Sequence, residues 1–254
     1  MKVPIWEGVY DSFKEVPGIG PGFGGEKWIK NSLEKVKILR DAANGDKTIP
    51  TVTSYRESLL PVISSTVYRE LRRVRILDFG GGIGFTFYQV ARSLPKTDNF
   101  EYHIVELKQV CEAGREFFKD ETSIFFHSRL PNDIGKVDIV HMGSSLHYIE
   151  HWRETLARLC EYIPRYFLFT DLAAGDNPTY ASSQTYYGSR IPVWFFNVDE
   201  IIDAMSGQGW EPIFKSSYIP QILGVEQPYP QDNFEDMYKV GYPCILLFAE
   251  EVNQ

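Results

Sequence analysis

Asp78, Gly80, Gly82 and Gly84 stand two residues apart, with Gly81 filling one of the gaps, directly after the apolar pair Ile76-Leu77. Glycines so spaced let a chain turn through positive φ and bring backbone N–H groups close to a ligand with no Cβ in the way. Phe85 to Leu94 then carries apolar residues at helical spacing and stops at Pro95. A strand, a glycine turn and a helix N-terminus make a cradle for a small, partly anionic ligand. A second acid, Glu106, ends the run Tyr102-His103-Ile104-Val105 and lies 22 residues beyond Gly84. A carboxylate at that point, on the end of the next strand, is placed to accept both hydroxyls of a ribose. The competing account is that Glu106 caps the following helix, whose first turn favours negative charge.

The glycine spacing selects among ligands. A dinucleotide turn needs Gly-x-Gly-x-x-Gly, and counting from Gly80 the third glycine would fall on Phe85. The run Asp-x-Gly-x-Gly-x-Gly from Asp78 to Gly84 resembles motif I of the class I S-adenosylmethionine-dependent methyltransferases. The resemblance covers about residues 74 to 250, including a late helix, Gly209-Trp210 and two last strands. It implies S-adenosylmethionine as cofactor, held by Asp78, Gly80, Gly81, Gly82, Gly84, Glu106, Leu107, Ser128 and Gly143. In that scheme Gly80 and Gly82 line the methionine end, Asp78 orders the turn and faces the cofactor's amino group, and Glu106 holds the ribose. Adenine lies near Ser128, where many relatives carry an acid and this chain has His127-Ser128. Trp6 to Tyr10, with Ser183-Gln184-Thr185 and Ile191-Pro192, is similar to bacterial methyltransferases associated with lipopolysaccharide and surface-polysaccharide synthesis.

His147 follows the fourth expected strand within Gly143 to Tyr148, where relatives often place residues facing the acceptor. With an unperturbed pKa of about 6.5, an imidazole there could take a proton from an acceptor hydroxyl. The alternative is that it caps the next helix or packs on Tyr148. His147 and His151 share the i, i+4 spacing of a metal-ligand pair, but Tyr148 replaces the glutamate of a zinc protease, so exposed surface histidines and no metal are expected.

The elements that must position these residues alternate strand and helix. Strands are expected at 74–79, 101–106, 123–128, 137–142 and 165–170, and helices at about 84–94, 107–119 and 149–163. Further strands follow at 211–218 and 243–250, with a helix from Asn197-Val198-Asp199 to Gly207 between them and the fifth strand. The result is an α/β fold, Rossmann-like and doubly wound, with a seven-stranded, mostly parallel sheet and an N-terminal helical and aromatic cap. Residues 1–73 form that cap, with helices near 28–39 and 54–73. Residues 74–254 form the methyltransferase-like domain, broken by an aromatic-rich insertion at about 171–197 with no visible strand pattern, read as an acceptor-binding lid.

Composition narrows the partners. A net charge of -8 opposes a nonspecific grip on nucleic acid, so the expected acceptor is a small molecule or a sugar. Cys111, Cys160 and Cys244 are widely separated and suggest neither zinc nor a disulfide framework. No run of 18 apolar residues exists and the start Met-Lys-Val-Pro-Ile-Trp lacks an apolar leader core, from which no membrane insertion and a cytoplasmic location are expected. A nicotinamide-dependent oxidoreductase and a non-catalytic scaffold of the same fold stay open beside the methyltransferase.

Overall fold

The computed structural model describes residues 4–45, 58–222 and 224–250. In chain order its elements are β1 (Trp6–Tyr10), α1 (Glu26–Ala43), α2 (Leu59–Leu71), β2 (Val74–Phe79), α3 (Phe87–Ser93), β3 (Phe100–Val105), α4 (Lys108–Phe117), β4 (Ile124–His127) and β5 (Ile139–Gly143). There follow α5 (Trp152–Cys160), β6 (Tyr166–Leu172), β7 (Ala174–Gly175), β8 (Tyr180–Tyr186), β9 (Ser189–Asn197), α6 (Val198–Ser206), β10 (Trp210–Ser217), β11 (Gln221–Ile222), β12 (Val225–Glu226) and β13 (Cys244–Glu250). Seven strands form a sheet in the order β10-β13-β6-β5-β2-β3-β4. This is the α/β, mostly parallel arrangement expected, with the last strand pairing antiparallel to β10.

Contacts divide the chain into two units, one of Phe23–Gly143 and Tyr162–Leu168, the other of Met1–Gly22, Ser144–Glu161 and Phe169–Gln254. In the first, β2 is paired in parallel with β3 on one side and β5 on the other, so the strand order reverses beside β2. Ligands of open α/β sheets bind at the carboxyl ends of the strands where that reversal occurs. The strands are apolar because they are covered: Ile76, Leu77, Ile104, Ile139 and Val140 are wholly buried. Arg75 ties the strand starts together, donating to both carboxylate oxygens of Glu101 at 2.7 and 2.9 Å, while its own N–H reaches Asp138 at 2.8 Å. α1 turns Trp28, Val36, Leu39 and Ala42 inward at helical spacing. α2 starts late, at Leu59, which puts Pro61 in the first turn where its missing N–H costs nothing. The expected start of that helix near Ser54 lies outside the described residues.

The second unit corrects the sequence reading. The segment at 171–197, expected to lack regular structure, contains a full antiparallel ladder between β8 and β9, from Tyr180↔Phe195 to Tyr186↔Ser189. Its two-residue loop, Tyr187-Gly188, has positive φ at both positions, the twist that suits a tight hairpin. β1, in the N-terminal stretch expected to form a helical and aromatic cap with no strand, adds to β8, and β7 adds to the other edge, giving the order β1-β8-β9-β7. Alternation is hidden because β8 is buried along its first five residues, polar ones included. Ser182 donates to the Glu7 carbonyl at 3.3 Å and Gln184 accepts from Tyr148 at 2.8 Å, so these polar groups are satisfied inside. Trp6, Tyr180, Val193, Phe195 and Phe234 pack together on this sheet.

This ladder changes what hydrogen exchange should show. Amides within β8 and β9 are expected to exchange slowly in the protein without ligand, because they open only with the strands that pair them. Fast exchange that slows only on adding cofactor and acceptor would restore the picture of an unstructured lid.

Candidate active site

The chain leaves β2 at Phe79 and enters the glycine turn with φ of +74° at Gly80, +59° at Gly82 and +79° at Gly84. The Gly80 N–H donates to the Val105 carbonyl at 2.9 Å, and the Gly84 N–H closes the turn on Gly81 at 3.1 Å. Space is as limiting as φ. A Cβ on Gly82 would sit 2.5 Å from the Phe85 ring, and one on Gly81 would sit 2.4 Å from Asp78 Oδ2. A side chain at either position would have to displace the Phe85 ring or the Asp78 carboxyl.

Asp78 braces the turn from below. Its carboxyl is 1% exposed. His141, opposite it in register on β5, approaches Oδ1 through Nδ1 at 2.8 Å. Tyr102 of β3 donates its hydroxyl to Oδ2 at 2.6 Å, and Thr86, just past the turn, reaches the same oxygen at 3.4 Å. The Thr86 and Tyr102 hydroxyls also bond to each other. A buried carboxylate needs such compensation, since leaving one without its partner costs about 3–5 kcal/mol. His141 thus engages one oxygen, and Tyr102 and Thr86 the other, so the carboxylate ties β5 and β3 to the residue that follows the turn. The partners escaped the sequence reading, although a histidine inside the apolar strand Ile139-Val140-His141-Met142 was a visible signal.

Glu106 stands at the end of β3 and faces the turn. Its Oε1 accepts the Gly82 N–H at 3.2 Å and its Oε2 accepts the Leu107 N–H at 2.7 Å. Burial raises its pKa, the larger effect, and the two backbone donors pull it back down. A carboxylate offers about four lone-pair positions, so one donor per oxygen leaves each able to take another. The two readings of Glu106, helix start and ligand acceptor, are therefore compatible. Leu107 begins the next helix 48% exposed, an apolar surface beside the acid. Ser128 lies beyond β4 on a cleft of about 400 Å³ lined by Arg115, Phe126, His127, Arg129 and Leu130 to Asp133, whose walls include neither the glycine turn nor Glu106. His127 is drawn into a structural chain, His127 to His103 at 3.0 Å and His103 to Glu101 at 3.2 Å. Burial lowers the pKa of both histidines, and Arg75 holds Glu101 down at about 2. Gly143 closes β5, half-buried.

In the other unit, His147 sits in a short 3-10 turn, Leu146–Tyr148, and α5 begins only at Trp152. His147 and His151 thus share no helix, and the expectation that both are exposed fails for His147, which is 4% exposed. Its ring packs 4.3 Å from that of Tyr148, and Nδ1 is buried with no hydrogen-bond partner. Burial drives its pKa down to about 4, against a smaller upward pull from the Asp171 carboxylate. The imidazole is therefore neutral at physiological pH, with a lone pair able to accept a proton. Asp171, near the end of β6, accepts the Tyr218 hydroxyl at 2.5 Å and holds φ at +54°.

A family model described as a methyltransferase domain matches residues 45–214. No curated protein matches the chain. Among solved structures, the YcgJ protein of Bacillus subtilis has a TM-score of 0.51 at 14% identity, covering 77% of this chain and 99% of that one. An S-adenosylmethionine-dependent methyltransferase from Clostridium acetobutylicum has a TM-score of 0.51 at 10% identity, covering 86% of this chain and 98% of its own. At these identities the structures establish the shared fold, and the family match spans 170 of the 254 residues. The glycine turn, its buried brace and the acid at the end of β3 lie inside that matched span, and the chain belongs to the methyltransferase domain family.

Proposed function

We propose that the protein transfers a methyl group from S-adenosylmethionine to a small, uncharged acceptor. The observation that carries this reading is Glu106, held by the Gly82 and Leu107 N–H groups with acceptor capacity on both oxygens. Two adjacent ribose hydroxyls match those two oxygens. The turn suits the methionine end of the cofactor, since Gly80, Gly82 and Gly84 hold positive φ and leave its backbone bare of side chains. Leu107, exposed next to Glu106, offers an apolar face to a purine, and Gly143 ends β5, the strand on the other side of β2; Ser128, after β4, is retained as the proposed adenine contact. The glycine spacing continues to oppose a nicotinamide dinucleotide, because Phe85 stands where the third glycine is needed.

When bound, the cofactor supplies a methyl group already activated on a sulfonium. What remains for the protein is alignment, and holding reactants in line can supply about 7 to 11 kcal/mol of the barrier. His147 is the proposed general base: its neutral imidazole takes the proton that an acceptor hydroxyl loses as the methyl group arrives. A sugar hydroxyl is the finer form of the reading, supported by the resemblance of Trp6–Tyr10 and Ser183–Pro192 to enzymes of surface-polysaccharide synthesis. A net charge of -8 argues for a small acceptor over a nucleic acid. A cytoplasmic location is part of this proposal; among the described residues no helix is long and apolar enough to cross a membrane.

Glu106→Ala should weaken binding of S-adenosylhomocysteine by roughly 1.5 to 3 kcal/mol, the scale of hydrogen bonds to a charged group. Isothermal calorimetry reads this directly, and an unchanged dissociation constant in a folded variant would reduce Glu106 to a helix start. His147→Ala should cut turnover at least about a hundredfold with cofactor affinity nearly unchanged. In the wild type the base is lost only as pH falls through about 4, because that is where the buried imidazole takes its proton, so the rate should stay level through neutrality. A wild-type rate that halves near pH 6.5, or a variant within a few fold of wild type, would remove His147 from the chemistry.

A further inference from the structure

Around His147 stand polar groups that no step above has used. All lie in the unit that contains the β1-β8-β9-β7 sheet. His147 and Tyr148 come from the turn after β5, Gln184 from β8, Asp171 from β6 and Tyr218 from the segment after β10. Tyr148 donates to Gln184 Oε1 at 2.8 Å while its ring packs on the imidazole, which fixes how His147 is presented. Tyr218, itself 7% exposed, does the same for Asp171, with its hydroxyl 2.5 Å from Oδ1. The carboxylate is near enough to act electrostatically on both His147 and Tyr148. So one acid, one imidazole and two tyrosines converge, and each ionisable group is held by a neighbour.

Two features mark this convergence as more than packing. His147 Nδ1 is buried without a hydrogen-bond partner, a state that native interiors avoid and that asks for a missing group. Asp171 and Ser144 also hold φ of +54° each, a conformation uncommon outside glycine. The Ser144 N–H is bonded to the Thr170 carbonyl at 2.8 Å, so the two strained positions are fastened side by side. Strain of this kind, clustered around an unsatisfied polar atom, is what a preorganised binding site stores.

We propose that His147, Tyr148, Asp171, Gln184 and Tyr218 form the acceptor-binding subsite, and that it takes an uncharged compound through a hydroxyl group answered by His147 and Asp171. The proposal rests on the methyl-transfer reading and adds the residues that select the acceptor. A hydroxyl is both donor and acceptor, so it satisfies His147 Nδ1 in either tautomer of the neutral ring. Asp171 accepts from the same or a neighbouring hydroxyl, and its negative charge turns away carboxylate and phosphate acceptors. Tyr148 and Gln184 are positioning residues here, acting on the ligand through the imidazole they hold.

Saturation-transfer NMR on the full chain, with catechol, methyl α-glucopyranoside, benzylamine and benzoate as probes and with saturating S-adenosylhomocysteine, tests this. Catechol or the glucoside should bind and benzoate should not; which of the two binds says whether the hydroxyl is phenolic or that of a sugar. Asp171→Asn keeps the backbone, since asparagine tolerates positive φ, and Tyr218→Phe removes only an oxygen. Both variants should weaken the hydroxyl probe at least tenfold while the S-adenosylhomocysteine affinity measured on the same samples stays within twofold. Tighter binding of benzylamine, absence of both hydroxyl probes, or probe affinity untouched by both variants would overturn the subsite. A wild type that binds the hydroxyl probe in the expected way and binds no S-adenosylhomocysteine would sink the methyl-transfer reading and leave the subsite standing.

Discussion

The turn that defines this protein depends on one buried carboxylate. Asp78 has no solvent to stabilise its charge, and its position is bearable because His141, Tyr102 and Thr86 surround it with polar hydrogens from β5, β3 and the residue leading into α3. Those three contacts tie the centre of the sheet to the first residues after the turn. The backbone of Gly81 passes so close to Asp78 that only glycine fits, so the acid also dictates the sequence above it. Charge burial, strand register and the glycine run are thus one constraint seen from three sides.

The two acids of the site show how environment assigns role. Asp78 and Glu106 come at the ends of neighbouring strands and looked alike as candidate ligand contacts. Asp78 is held by three side chains, one on Oδ1 and two on Oδ2, and braces the turn. Glu106 accepts one backbone N–H on each oxygen and keeps capacity for more. Its burial raises its pKa, which is the cost of holding an acceptor ready beside an apolar surface such as Leu107.

Much of this could be read from the residues in order. Parallel strands buried on both faces are continuous apolar runs, so β2 to β6 and the helices between them fell within a few residues of the expected bounds. The 171–197 segment was illegible for a physical reason: β8 buries serines and a glutamine against backbone carbonyls and Tyr148, so no period of two survives in its hydrophobicity. β1 was hidden likewise, since its partner strand is 170 residues away in the chain and its glycine suggested a loop. His147 was misjudged as exposed because its burial comes from elements far along the chain. Spacing alone also could not tell which oxygen of which acid was already taken.

The central claim is that the glycine turn and the end of β3 hold the cofactor. Amide chemical shifts of the full chain, followed while S-adenosylhomocysteine is added, test it most directly. The account predicts that the amides of Gly80, Gly81, Gly82, Gly84 and Leu107 move together along one saturable curve, Gly82 and Leu107 foremost because Glu106 redistributes its hydrogen bonds. Saturable shifts confined to other parts of the chain, with these five unmoved, would contradict it.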